Sequence, residues 1–169
     1  MRTLIFIPLA FAAACLSAFE KGTQLPRPDD HDLLVAARKF SLKPTHLSPD
    51  TKILIFFYSA SWCAPCTTIG KELRNKYEAL KELTPGIELI TFSVDFSTRA
   101  RADYLREKHY PWPALAPQAM EQDGWNVSLE NGTPQFQAWA IDADTIQALM
   151  DPGSLDAALK RASMHLATP

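Results

Sequence analysis

The chain has no long basic block and no basic stripe, and its formal net charge is only -2 over 169 residues. A nucleic-acid partner is therefore not indicated, because such binding rests on clustered Lys and Arg. It has no acidic tail either, so nothing marks a non-specific electrostatic partner. No internal repeat and no low-complexity segment breaks it up. Its apolar runs stop well short of the roughly 20 residues that a membrane-spanning helix needs. Cysteine is scarce, with three in the whole chain, and the four histidines (His31, His46, His109, His165) show no ligand spacing. What remains is a 47% hydrophobic sequence, enough for a real core and about one domain.

The first residues combine Met1-Arg2, the uncharged run Leu4–Ala14 and three small residues, Ala12-Ala13-Ala14. A positive start, a short apolar run and an A-x-A-like site together predict a secretory signal peptide over residues 1–18, with cleavage after Ala14. The competing reading is a buried N-terminal helix, which Pro8 and the missing polar face oppose. Ala12-Ala13-Ala14-Cys15 also resembles a bacterial lipoprotein box, except that Ala12 stands where Leu is usual. A lipidated Cys15 would anchor the protein to a membrane, and a plain cleaved signal fits as well. Either way the mature body keeps two cysteines, Cys63 and Cys66, and the protein is expected to be exported, periplasmic or extracytoplasmic.

Residues 19–46 are expected to hold a linker and an N-terminal helix. Phe19–Asp30 is polar with Pro26 and Pro28. Asp30–Phe40 predicts a helix, opened by acidic residues and carrying Leu33, Leu34 and Ala37 on one face. The main domain is placed at 47–169. Lys52–Ser59 is a continuous apolar run that predicts a strand buried on both faces. Cys63–Leu83 predicts a helix with Ile69, Leu73, Tyr77, Leu80 and Leu83 as its stripe, stopped by Pro85-Gly86. Ile87–Val94 predicts a strand, and Thr98–Lys108 a helix capped by Ser97. Pro111, Pro113 and Pro117 break the next region, with a short helix near Ala119–Asp123. Gln135–Ile141 predicts a strand, Ile146–Met150 its hairpin partner across Asp142–Thr145, and Ser154–Leu166 a closing helix. Early strand–helix alternation implies a parallel β-α-β unit, and the late hairpin adds antiparallel edges.

Trp62-Cys63-Ala64-Pro65-Cys66 falls where the first apolar strand of this domain meets its helix. The thiolate attacks disulfides, not the thiol. A cysteine at a helix N-terminus sees unpaired N–H groups and the positive end of the dipole, which stabilise that thiolate. Cys66, three residues on, lies on the same side of the first turn and is able to close a small ring. Pro65 is tolerated in a first turn, where no carbonyl waits for its missing N–H. Trp62 is placed to shield the dithiol and offer a flat surface to a bound chain. Two other readings of the pair stay open: half a zinc site, which lacks a second pair of ligands, and a permanent structural disulfide. Trp112, Trp125 and Trp139 are expected to pack rather than bind. The acceptor-like patterns at Asn126 and Asn131 are taken as chance.

The motif resembles the WCxPC active site of the thioredoxin superfamily, and Gly132-Thr133-Pro134 is similar to its cis-proline loop. The resemblance covers about Leu47–Leu166. The Gly-Thr-Pro form, the Val94-Asp95 strand end and Tyr110-Pro111-Trp112-Pro113 look most like the TlpA-like and nucleoredoxin-like branches. It implies an α/β thioredoxin fold, a central mixed β-sheet flanked by helices. By resemblance, Pro134 sits in a cis bond beside the dithiol and the Thr133 backbone pairs with substrate. The implied activity is thiol–disulfide exchange on exported proteins, of reductase or isomerase type. Cys63 and Cys66 are then catalytic, and Trp62, Ala64, Pro65, Thr133 and Pro134 contact substrate. Its partners are protein thiols and disulfides and an upstream redox partner; no organic cofactor and no metal is expected, and the chain acts as a monomer. Two positions depart from the family: Phe57 stands where cytoplasmic thioredoxins carry a buried Asp, and Ile69 where TlpA-like proteins often carry Glu.

Overall fold

The structure is a computed structural model that describes residues 21–29, 31–37, 41–121, 125 and 132–168. The signal segment 1–18, Cys15, and the two Asn patterns at Asn126 and Asn131 lie outside the described residues. The central strand is β4, Ile53–Ser59, every residue of which is buried. Its side chains alternate as a strand's must. Ile53, Ile55 and Phe57 enter one core cluster with the cysteines, while Leu54, Phe56 and Tyr58 enter the cluster on the opposite face. Helix α1, Ala64–Leu83, then returns the chain to β5, Ile87–Ser93, which pairs with β4 in parallel. This is the β-α-β unit read from the alternation.

Helix α2, Thr98–Lys108, is capped by Ser97, whose side chain accepts from the Ala100 N–H. Strand β7, Gln135–Ile141, lies antiparallel on the other side of β4, and β8, Thr145–Ala148, folds back on β7. Helix α3, Leu155–Leu166, with Ser154 as its cap, covers β7. Buried side chains from α1, α2 and α3 join the cluster that holds the cysteines. The opposite cluster is closed by Ala119, Met120, Trp125 and Trp139. Trp112, Trp125 and Trp139 are all buried, and the Trp112 indole donates to Thr91 Oγ1 at 2.8 Å.

The sheet is wider than the sequence suggests. β1, Gln24–Pro26, adds to β8, inside the stretch read as a linker. The helix expected over Asp30–Phe40 is instead strand β2, Leu33–Ala37. β2 pairs with β3, Ser41–Pro44, and with β6, Ala114–Leu115. The physical reason is visible at its start. The Asp29 carboxylate, just before the expected helix start, accepts from the His31 and Asp32 N–H groups at 2.7 and 3.1 Å. It thus closes a turn, the alternative role of a short acidic side chain. The run that follows is too short to stabilise a helix alone, and the open edge of β6 supplies ladder partners. The complete order is β1-β8-β7-β4-β5-β6-β2-β3. The short helix near Ala119 is a single 3-10 turn, Ala119–Glu121.

Candidate functional site

β4 ends at Ser59, level with Ser93 at the end of its parallel neighbour β5. The loop Ala60–Trp62 then leads into α1. Ligand and reaction sites of such sheets gather at the C-terminal ends of parallel strands. Cys63 is the N-cap of α1, in extended backbone, and Pro65 occupies the first turn. Cys63 and Cys66 are joined by a disulfide with their Cα atoms 5.3 Å apart. The Cys66 N–H donates to Cys63 Sγ at 3.1 Å, so one donor of the helix start, which has no carbonyl partner within the helix, points at that sulfur. This arrangement stabilises a Cys63 thiolate when the bond opens.

Cys63 is less open than its place at a helix start predicts. It is 4% exposed and Cys66 is 0% exposed. The exposed surface comes from Trp62, Ala64 and Pro65 around it. Beneath the disulfide the surroundings are apolar: Phe57 stacks on Phe136 at 4.9 Å between ring centroids, and Ile69 packs against the same cluster. Both acid positions that differ from the family are thus filled with hydrocarbon.

The Thr133–Pro134 bond is cis. Pro134 immediately precedes β7, whose first residue Gln135 is opposite Tyr58 of β4, so the loop lies at the same end of the sheet as the dithiol. Gln135 holds it by donating from Nε2 to the Gly132 carbonyl at 2.8 Å. Thr133 Oγ1 is buried and has no hydrogen-bond partner among the described residues. Among the described residues no cluster of His, Cys, Asp or Glu could hold a metal, and no helix is long and apolar enough to cross a membrane.

Sequence reasoning missed what holds the loop before Cys63. Asp95, just past β5, is 2% exposed. Its carboxylate accepts from Ser61 N–H at 3.1 Å and Ser61 Oγ at 2.6 Å, and from Ser93 Oγ at 2.8 Å. Arg101 Nε donates to the Asp95 carbonyl at 2.9 Å. A polar seam continues behind α1, where Ser59 Oγ meets the Tyr104 hydroxyl and that hydroxyl lies 3.3 Å from Tyr110's. Burial holds the Tyr104 phenol far above its ordinary range, and the neighbouring Tyr110 pushes it further. Burial also raises Tyr110. An acidic residue directly after an apolar strand, at the end where the reactive motif lies, is the signal that could have found Asp95.

The mixed sheet, the disulfide at the start of the helix after the central strand, and the cis X–Pro bond ahead of its antiparallel neighbour define a thioredoxin-fold protein. More particularly, the chain belongs to the AhpC/TSA family, whose model matches residues 28–147. It is 33% identical over 64 residues to the probable nucleoredoxin 1 of Arabidopsis thaliana, covering 38% of this chain and 11% of that protein. It is 34% identical over 59 residues to human nucleoredoxin, covering 35% and 13%. The chain therefore spans about an eighth of the length of the curated relatives it matches. Tryparedoxin II, solved in complex with glutathionylspermidine, shares the fold with a TM-score of 0.50 at 22% identity, covering 84% of this chain and 89% of that one.

Proposed function

We propose that the protein is a thiol–disulfide oxidoreductase. The observation that carries this reading is the Cys63–Cys66 disulfide closing the first turn of α1, with the Cys66 N–H on Cys63 Sγ. In the reduced protein the Cys63 thiolate attacks a partner's disulfide. One partner sulfur leaves as a thiolate and takes a proton, and a mixed disulfide forms. The Cys66 sulfur, its proton lost to solvent, then attacks Cys63, releases the second partner thiol and restores the Cys63–Cys66 bond. Two electrons and two protons pass to the partner.

Trp62, Ala64, Pro65 and the Thr133–Pro134 loop form the partner-facing surface in this reading. Its substrates are exported proteins, which the apolar start before Cys15 supports, with lipidation of Cys15 as a membrane anchor. An upstream dithiol partner returns the pair to its reduced form. The Ala64-Pro65 insert carries no charge or His, which favours reductase or isomerase chemistry over strong oxidation. The burial of both sulfurs favours one rival, a binding or assembly protein with a structural disulfide.

Trapping separates the two cysteines' roles. Cys66→Ser should accumulate mixed disulfides with partner proteins on non-reducing gels of the native host, whereas Cys63→Ser should accumulate almost none. Equal trapping by both variants removes the assignment of Cys63 as attacker. No trapping by either favours the structural disulfide.

A further inference from the structure

Two aromatic rings stand in solvent directly beside the disulfide. Trp62, the residue before Cys63, is 54% exposed, and Phe96 is 90% exposed. They stack on each other, with ring centroids 6.1 Å apart and planes 21° from parallel. Large apolar side chains left in water as a joined patch mark a contact surface more often than isolated ones do. Among the described residues, the other exposed large hydrophobics, Leu83, Met164 and Leu166, sit near the C-terminal ends of α1 and α3.

The position of Phe96 is imposed, not slack. On one side Asp95 is buried and bound to Ser61, Ser93 and, through its carbonyl, Arg101. On the other side Ser97 caps α2. Consecutive residues after β5 therefore hold consecutive residues before Cys63: Asp95 grips Ser61 from inside, and Phe96 covers Trp62 from outside. The ring is held outward between two anchored neighbours.

We propose that Phe96 and Trp62 form a two-ring platform that selects oxidised polypeptides carrying an aromatic or large aliphatic residue next to the reacting cysteine. This rests on the thiol–disulfide reading above. The occupant follows from continuity with the reacting sulfur. A partner sulfur must come to about 3–3.5 Å of Cys63 Sγ to react. The residue beside that partner cysteine is about 3.8 Å away along the chain, within reach of the rings. Among the described residues, the exposed ones that adjoin Cys63, Cys66 and Phe96 in sequence include Ser61, Trp62, Ala64, Pro65 and Ser97, all uncharged. Recognition there is apolar and aromatic, not ionic. The chemistry is the same exchange: the reduced pair gives two electrons and two protons to the bound disulfide and is left as Cys63–Cys66.

The test uses the full chain, reduced with dithiothreitol, desalted and followed in single turnover by tryptophan fluorescence. Two short disulfide peptides differ only in the residue beside cysteine, Phe in one and Ser in the other. Bis(2-hydroxyethyl) disulfide reports the reactivity of the dithiol itself. The wild type should react with the Phe peptide about tenfold faster than with the Ser peptide, equivalent to about 1.4 kcal/mol. Phe96→Ala should reduce that preference to less than about threefold, and Phe96→Leu should keep an intermediate value. A wild-type preference near one overturns the platform, as does a preference that survives in Phe96→Ala. Failure of the wild type to react even with bis(2-hydroxyethyl) disulfide overturns the redox reading and the platform with it.

Discussion

Asp95 is the residue on which the geometry before Cys63 most depends, and its replacement has a calculable cost. Asp95→Ala strands three donors, the Ser61 N–H, the Ser61 hydroxyl and the Ser93 hydroxyl. Ser61 is exposed, so water recovers most of what it loses. Ser93 is fully buried, and a buried polar group left without a partner costs about 1–3 kcal/mol. Relief of the carboxylate's own desolvation offsets part of the loss, while the void left by the side chain adds to it. The sum is about 2–3 kcal/mol, or roughly 4–12 °C in Tm for a chain of this size. Asp95→Asn keeps one acceptor oxygen and should cost about half as much; Ser61→Ala should cost least, about 0.5–1 kcal/mol. Guanidinium unfolding of the oxidised protein, followed by circular dichroism, measures all three. Because Asp95 and Ser61 share one set of bonds, the double variant should cost little more than Asp95→Ala alone. Fully additive costs, or an Asp95→Ala variant within about 0.5 kcal/mol of the parent, would refute the idea that this carboxylate fastens the loop.

Two further outcomes follow from the packing of the core. A Cβ on Gly70 would fall 2.6 Å from Tyr110 Cζ and 2.7 Å from Cε1, and that ring is pinned by Trp112, stacked at 4.6 Å. Gly70→Ala gains about 1 kcal/mol of helix propensity but overpacks the core at about 1–3 kcal/mol, so denaturant unfolding should show a net loss, and a stabilised variant would contradict the packing. The chain's four tyrosines, Tyr58, Tyr77, Tyr104 and Tyr110, all have phenols raised by burial. A raised folded value means that this contribution to stability is complete below the unfolded value of about 10 and is lost as pH climbs above it. Absorbance at 295 nm should therefore show no tyrosinate in the folded protein near pH 10, with ionisation arriving together with unfolding at higher pH; a normal tyrosine titrating near pH 10 in the folded state would contradict the burial.

The elements that were legible are those whose own pattern suffices. The all-apolar stretch at Ile53–Ser59, the spacing of four from Ile69 through Leu73 to Tyr77, and the serine cap at Ser97 are local signals, and each element stands where they put it. β1 and β2 were not legible, because what makes them strands is a partner far away in sequence, and β3 follows only once β2 is in place beside it. Leu34 is opposite Ala114, and Leu25 is opposite Ile146. β6 hid among prolines for the same reason: Thr91 of β5 and Leu34 of β2 define it. In the site, the covalent motif announced itself, whereas its fastening did not. Asp95 and Phe96 lie over thirty positions from Ser61 and Trp62, and only the parallel pairing of β4 with β5 brings these pairs together.

The central claim is that the Cys63–Cys66 bond cycles. Equilibrating the folded protein in graded dithiothreitol and glutathione redox buffers, then counting free thiols by mass after alkylation, gives its reduction potential. A redox-active pair should pass reversibly through a two-electron transition at a potential above about −300 mV, with both thiols appearing together. A bond that stays closed in the folded protein until well below about −300 mV would contradict the account and make the disulfide structural.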